Sequence, residues 1–259
     1  MAVDKLVDSS QLDTDLTSVA NAIRTKGGTS ASLAFPSGFV TAIGAIPSGG
    51  GYTADEIAIP ANNTGKLVIT TTTVSAYAFA GWSGITEIEA NSLTNATDGS
   101  FKGMTGVAGM YFPEMTTFTN RPFGDVTAIM VFPKLTTMES RRLEGWKGTV
   151  LDFGTPLQYF AATSLYGCPN TSTIILRKTS RVSLSNVNAF NGTKFANGGA
   201  GGTIYIPKSL YDHLGDGTTD DYKAASNWST VNGYGTITWA KIEGSAYENA
   251  YADGTPIPT

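Results

Sequence analysis

The chain holds a single cysteine and a single histidine among 259 residues, and only 15% of its residues are charged. One cysteine excludes an intrachain disulfide, which leaves packing to hold the fold together. The 17 basic residues are scattered among 21 acidic ones for a net charge of −4. A nucleic-acid surface needs a basic stripe, so no nucleic-acid partner is expected. No apolar run approaches the roughly 18 residues of a membrane span, and membrane insertion is not expected. The first residues, with Asp4 and Asp8, lack the basic and apolar regions of a secretory signal, so the expected chain is made without one.

Catalytic patterns are missing too. No serine stands in a glycine-flanked elbow, no phosphate loop occurs, and His213 has no nucleophile at a recognisable spacing. The glycine-rich residues 198–202 lack the following lysine and helix that a phosphate cradle requires. Asp212, Asp216, Asp220 and Asp221 surround His213 without the alternation of a calcium loop, and Gly215, Gly217, Thr218 and Thr219 between them spell a turn. We therefore expect no enzymatic activity, no catalytic residue, no cofactor and no metal. Cys168 reads as an inert core residue.

What is present is a repeat. Phe79, Phe101, Phe123, Leu143, Leu165 and Phe190 recur at intervals of 22, 22, 20, 22 and 25 residues. Five of the six have glycine two places on (Gly81, Gly103, Gly145, Gly167, Gly192), whereas Phe123 is followed directly by Gly124. Eight places before the anchors stand Leu93, Met115, Leu135, Leu157 and Val182; five before stand Val74, Phe118, Met138 and Phe160. Met110, Phe112, Pro113, Thr116 and Thr117 match Met130, Phe132, Pro133, Thr136 and Thr137, which puts the two-residue shortening after Phe123. A unit this small cannot bury its own apolar side, so successive units must stack into one continuous core. The expected product is a stiff, mainly β solenoid suited to binding along its flanks.

Four segments follow. Residues 1–47 read as two short helices with apolar faces Leu12, Leu16, Val19, Ile23 and then Phe39, Ile43, Ile46; they bury too little surface alone and should oligomerise with copies of themselves. Residues 48–69 form a Ser48-Gly49-Gly50-Gly51 linker and a lead-in, 70–207 the repeats, and 208–259 an end cap and tail. Within the last, the pattern predicts helices over 209–214 and 220–228 and strands over 204–207 and 236–242. In the strand after each anchor, residues flanking the inward row should face out, which nominates Glu87, Glu89, Tyr111 and Asp152 as one binding face. Tyr159, Tyr166, Arg141 and Arg142 are candidates for another.

The repeat phrases resemble leucine-rich repeats of the bacterial surface-antigen A type, whose units carry alanine and phenylalanine followed by glycine and cysteine. Ala78-Phe79 and Ala189-Phe190 keep the first pair and Cys168 the cysteine, while Trp82, Met104 and Trp146 occupy its place elsewhere. The resemblance spans about residues 70–207 and implies a right-handed solenoid of leucine-rich-repeat type, to which the residue pattern adds a short helical hairpin before it and an α/β cap after it. The phrases Leu6-Val7-Asp8-Ser9, Leu33-Ala34-Phe35-Pro36-Ser37-Gly38-Phe39 and Tyr52-Thr53-Ala54-Asp55-Glu56-Ile57-Ala58 resemble the start of structural proteins of bacteriophages that infect gut Firmicutes; Tyr222, Lys223, Ala224, Ala225, Asn227 and Trp228 resemble their end cap. That resemblance implies a virion protein: a tail fibre or receptor-binding protein, or else a head fibre or capsid decoration. A bacterial surface adhesin is the third reading. The implied partners are further copies in a homotrimer, other virion proteins through the N-terminus, and a host-surface glycan or protein.

Overall fold

In a computed structural model, the described residues are 9–27, 57–58 and 63–250. The chain divides between Ala54 and Asp55 into two units. In the first, helix α1 spans Ser9–Gly27. Ala20 and Ile23 are buried and Leu16 is half-buried, which is helical spacing, while Val19 is 46% exposed. The side chain of Leu12, together with Phe39, Ile43 and the expected second helix, lies outside the described residues.

The second unit is mainly β, a parallel β-solenoid of about six turns. Its long strands are β2 (Thr64–Ile69), β4 (Gly84–Glu89), β6 (Gly109–Tyr111), β8 (Ile129–Phe132), β10 (Val150–Phe153), β12 (Thr173–Leu176), β14 (Gly202–Ile206) and β15 (Ile237–Lys241). The last six form one parallel sheet in that order; β2 pairs with β4 in parallel, and β1 (Ile57–Ala58) adds to β2 antiparallel. Two-residue strands alternate with the long ones along the chain: β3 (Thr73–Val74), β5 (Asn95–Ala96) and β7 (Thr117–Phe118) make one parallel ladder, and β9 (Thr137–Met138), β11 (Tyr159–Phe160) and β13 (Ser183–Leu184) another. One long strand, one short strand and one anchor turn thus make each rung.

Register follows the repeat. Met110, Met130, Leu151, Ile174 and Ile204 are successive partners across β6 to β14, all buried. The six anchors are at most 2% exposed. The first three carry rings in contact from turn to turn, Phe79 and Phe101 tilted with centroids 5.5 Å apart and Phe101 and Phe123 stacked 5.5 Å apart at 10°. Burying such a side chain contributes about 1.5–3 kcal/mol, so this column is a principal source of stability in a chain without disulfides. Phe101 meets Phe123 while Met110 pairs with Met130, which places the two-residue shortening between Phe123 and β8.

The turns around the anchors are tied across rungs by backbone bonds such as Phe79 N–H to Ser100 O (2.8 Å) and Gly103 N–H to Gly124 O (2.8 Å). Two places after the anchor the backbone enters the left-handed region, which glycine enters without Cβ strain: Gly192 has φ +76°. In the shortened turn Asp125 takes that place, at φ +61°, since aspartate tolerates this conformation better than most residues.

Two expectations are corrected, the first in the C-terminal part. Residues 220–227 hold turns rather than a helix, and the helix there is Trp228–Gly233. Asp221 accounts for this, because its carboxylate accepts the N–H groups of Gly217 and Lys223 (3.0 and 2.8 Å) and so competes with a helical ladder. The same geometry turns Tyr222 and Trp228 onto the last short strand: Val182 N–H donates to Tyr222 Oη (2.9 Å), and Trp228 Nε1 donates to Val182 O (2.7 Å). Trp228 continues the aromatic column, 5.6 Å from Phe190.

The second correction concerns Asp152. Its place beside the inward row does put it on the outer side of β10, yet it is only 1% exposed. The chain returns over this face after β15: Val150, Ile175 and Ile242 form a buried cluster with Ile129, Tyr205 and Tyr247 against it. Asp152 is roofed rather than displayed.

Candidate functional site

Of the four nominated strand residues, Asp152 alone is buried. Lys66 and Glu87 are register partners on β2 and β4, and Lys66 Nζ sits 3.0 Å from Glu87 and 2.6 Å from Glu89. The lysine separates two carboxylates that would otherwise repel, and its hydrogen bonds to Glu89 first and Glu87 second raise its pKa. Glu87 is exposed, Glu89 and Tyr111 are half-buried, and Asp152 is removed from the set. Burial pushes the Asp152 carboxyl above its ordinary range despite the opposing pull of Arg177.

The anchor-turn face brings together side chains that the sequence reading had not combined. Tyr77, Asp98, Lys102, Arg121, Asp125 and Glu144, from four successive turns, line a groove of about 290 Å³. Tyr77 Oη donates to Asp98 Oδ2 at 3.3 Å. Lys147 pairs with Asp125 at 2.7 Å, and Arg121 and Arg141 approach Glu144 at 3.5 and 3.6 Å. The lysine's hydrogen bond holds the Asp125 carboxyl below its usual range. Further along, the Arg141 guanidinium lies 4.9 Å from the ring centroid of Tyr166, which is 37% exposed. Arg142 and Tyr159 are half-buried, and Tyr159 Oη donates to Glu139 at 3.2 Å. The missed signal was positional. Tyr77, Arg121 and Arg141 each stand two places before an anchor, all with φ +58°.

Cys168 is fully buried and donates its thiol to Leu143 O at 3.0 Å; burial pushes its pKa up to about 12. A thiol held protonated is a poor nucleophile. Around His213 the carboxylates shape the loop: Asp216 accepts Thr218 N–H (2.9 Å) and contacts His213 Nδ1 (2.6 Å), and Asp220 accepts Arg181 N–H (3.0 Å). Among the described residues, no three His, Cys, Asp or Glu side chains converge at metal-ligand spacing. No described helix is long and apolar enough to cross a membrane.

The fold and these surfaces define a parallel β-solenoid repeat protein. Known family models and characterised proteins give no match to the chain.

Proposed function

We propose that this chain is a non-enzymatic bacteriophage virion protein, a tail fibre or receptor-binding protein that associates through its N-terminal helices and contacts the host surface with its repeat stack. The observation that carries the reading is the unbroken ladder from β6 to β15, cross-tied at the anchor turns. Such a stack ties each turn to the next by main-chain bonds, so it presents long, continuous flanks, as attachment requires. The repeat phrases support a right-handed leucine-rich-repeat type, and the contacts of Tyr222 and Trp228 with Val182 support a capping role for the C-terminal segment. The anchor and cap phrases support the phage origin.

The test is to label the intact chain and apply it to Gram-positive gut bacteria, with immunogold imaging of virions alongside. Staining of cells and gold at the tail tip are expected, and joint substitution of Glu87, Glu89 and Tyr111 by alanine should weaken staining with little change in melting temperature. Gold on capsids without cell staining would favour a head fibre. Release of sugar or peptide fragments from purified envelopes would overturn the binding role.

A further inference from the structure

The groove on the anchor-turn face exists because two side chains are missing. Two places before the anchor, successive turns carry Tyr77, Gly99 and Arg121; one place after it they carry Lys102, Gly124 and Glu144. A Cβ at Gly99 would fall 2.5 Å from the Tyr77 ring, so that ring lies over the glycine of the next turn. Lys102 does likewise, its stem 3.6 Å from where a Cβ of Gly124 would stand. Both side chains lean along the stack, yet Tyr77 stays 55% exposed and keeps ring surface open to solvent.

Polar groups of both signs border this platform. Asp98 supplies acceptor oxygens, Arg121 is exposed, and Lys102 makes no ion pair among the described residues. The carboxylates of Asp125 and Glu144 are offset by Lys147, Arg121 and Arg141, so the groove carries no strong field of either sign. An anionic polymer would meet three carboxylates there, and a cationic one Lys102 and Arg121. An extended peptide would look for a free strand edge or apolar side-chain pockets, and the groove has neither. A pyranose fits better, with its C–H face for the aromatic ring and its hydroxyl rim for mixed donors and acceptors. The four turns are spaced by about 4.8 Å each, close to the length of one sugar residue, so a linear chain can meet one rung at each unit.

We infer that this groove binds a linear, uncharged glycan, with Tyr77 as the stacking surface and Asp98, Lys102 and Arg121 as hydroxyl partners. The inference deepens the attachment reading and rests on it for biological purpose. The test applies the intact protein to an array of neutral linear glucans, mannans, galactans and N-acetylhexosamine oligomers, with heparin and polyglycerol phosphate as anionic members, beside the cell-staining assay. The expected result is retention on at least one neutral glycan, weakened at least tenfold in Tyr77→Ala and in Gly124→Tyr but not in the remote Tyr211→Ala. Gly124→Tyr fills the groove with the residue that Tyr166 already places at the same position of another turn, so the fold should tolerate it. Retention on anionic members alone, on no member, or undiminished in both groove variants would overturn the inference. Cell staining that survives both groove variants sinks the groove and leaves attachment standing; neutral-glycan retention without cell staining does the reverse.

Discussion

Arg177 grips Asp152 with two bonds, Nε to Oδ1 at 2.9 Å and Nη2 to Oδ2 at 2.8 Å, and the same Nη2 donates to the carbonyls of Tyr247 and Ala250. A carboxylate this deeply buried is costly unless paired. The guanidinium joins neighbouring strands β10 and β12 to the returning C-terminal segment. One side chain therefore both neutralises the outer sheet face and fastens its cover.

Arg177→Met should lower stability by about 3 kcal/mol, because it leaves an uncompensated buried charge, and should speed proteolysis within residues 243–250. The double variant Asp152→Leu/Arg177→Met should recover most of that stability in urea titrations while remaining protease-sensitive. A double variant as unstable as the single one would contradict this account.

Phe101→Ala should cost roughly 3–5 kcal/mol, as large aromatic truncations in a core do. The side chain is fully buried between Phe79 and Phe123. Glu87→Ala should stay within about 0.5 kcal/mol, since exposed ion pairs contribute little. Equal midpoints for the two variants in denaturant would count against the anchor register.

Gly192→Ala should destabilise by about 1–3 kcal/mol. It combines φ +76° with a Cβ only 2.9 Å from Gly167 N. Gly109, at the start of β6, has open space around it and ordinary φ, so alanine there should change the melting temperature little.

Cys168 should make stability fall with alkali. Burial raises its pKa from 9.0 to about 12, so above pH 9 the unfolded chain releases a proton that the fold retains. The loss is about 1.4 kcal/mol per pH unit in that window. Relative to Cys168→Ala, wild-type stability should therefore drop by about 2 kcal/mol between pH 8 and pH 10.5. Native protein at pH 8 should also resist thiol reagents until it unfolds.

A chain beginning at Tyr52 should remain folded with a lower oligomeric state than the full protein, because a short helical segment gains too little from its own core to stand alone. Light scattering that gives the same number of copies for both would end the oligomerisation role of Leu12, Leu16, Val19, Ile23, Phe39 and Ile43.

The anchors, the inward row and the glycine two places on were legible in the sequence, because what must be buried, and where the backbone must turn, recurs once per turn. That periodicity determined a mainly β stack and its register, including the shortening after Phe123, while the backbone showed that Asp125 takes the glycine's place there. It could not reveal the fate of Asp152, whose concealment depends on Arg177, 25 residues away, and on carbonyls 70 and 73 residues beyond that arginine. Nor could it assemble the groove, where Tyr77 leans across to a glycine 22 residues on. Periodicity specifies which side of a strand faces the core; only the path of the rest of the chain decides whether the other side meets water. At Glu87 it does, and at Asp152 the returning C-terminal segment shuts water out.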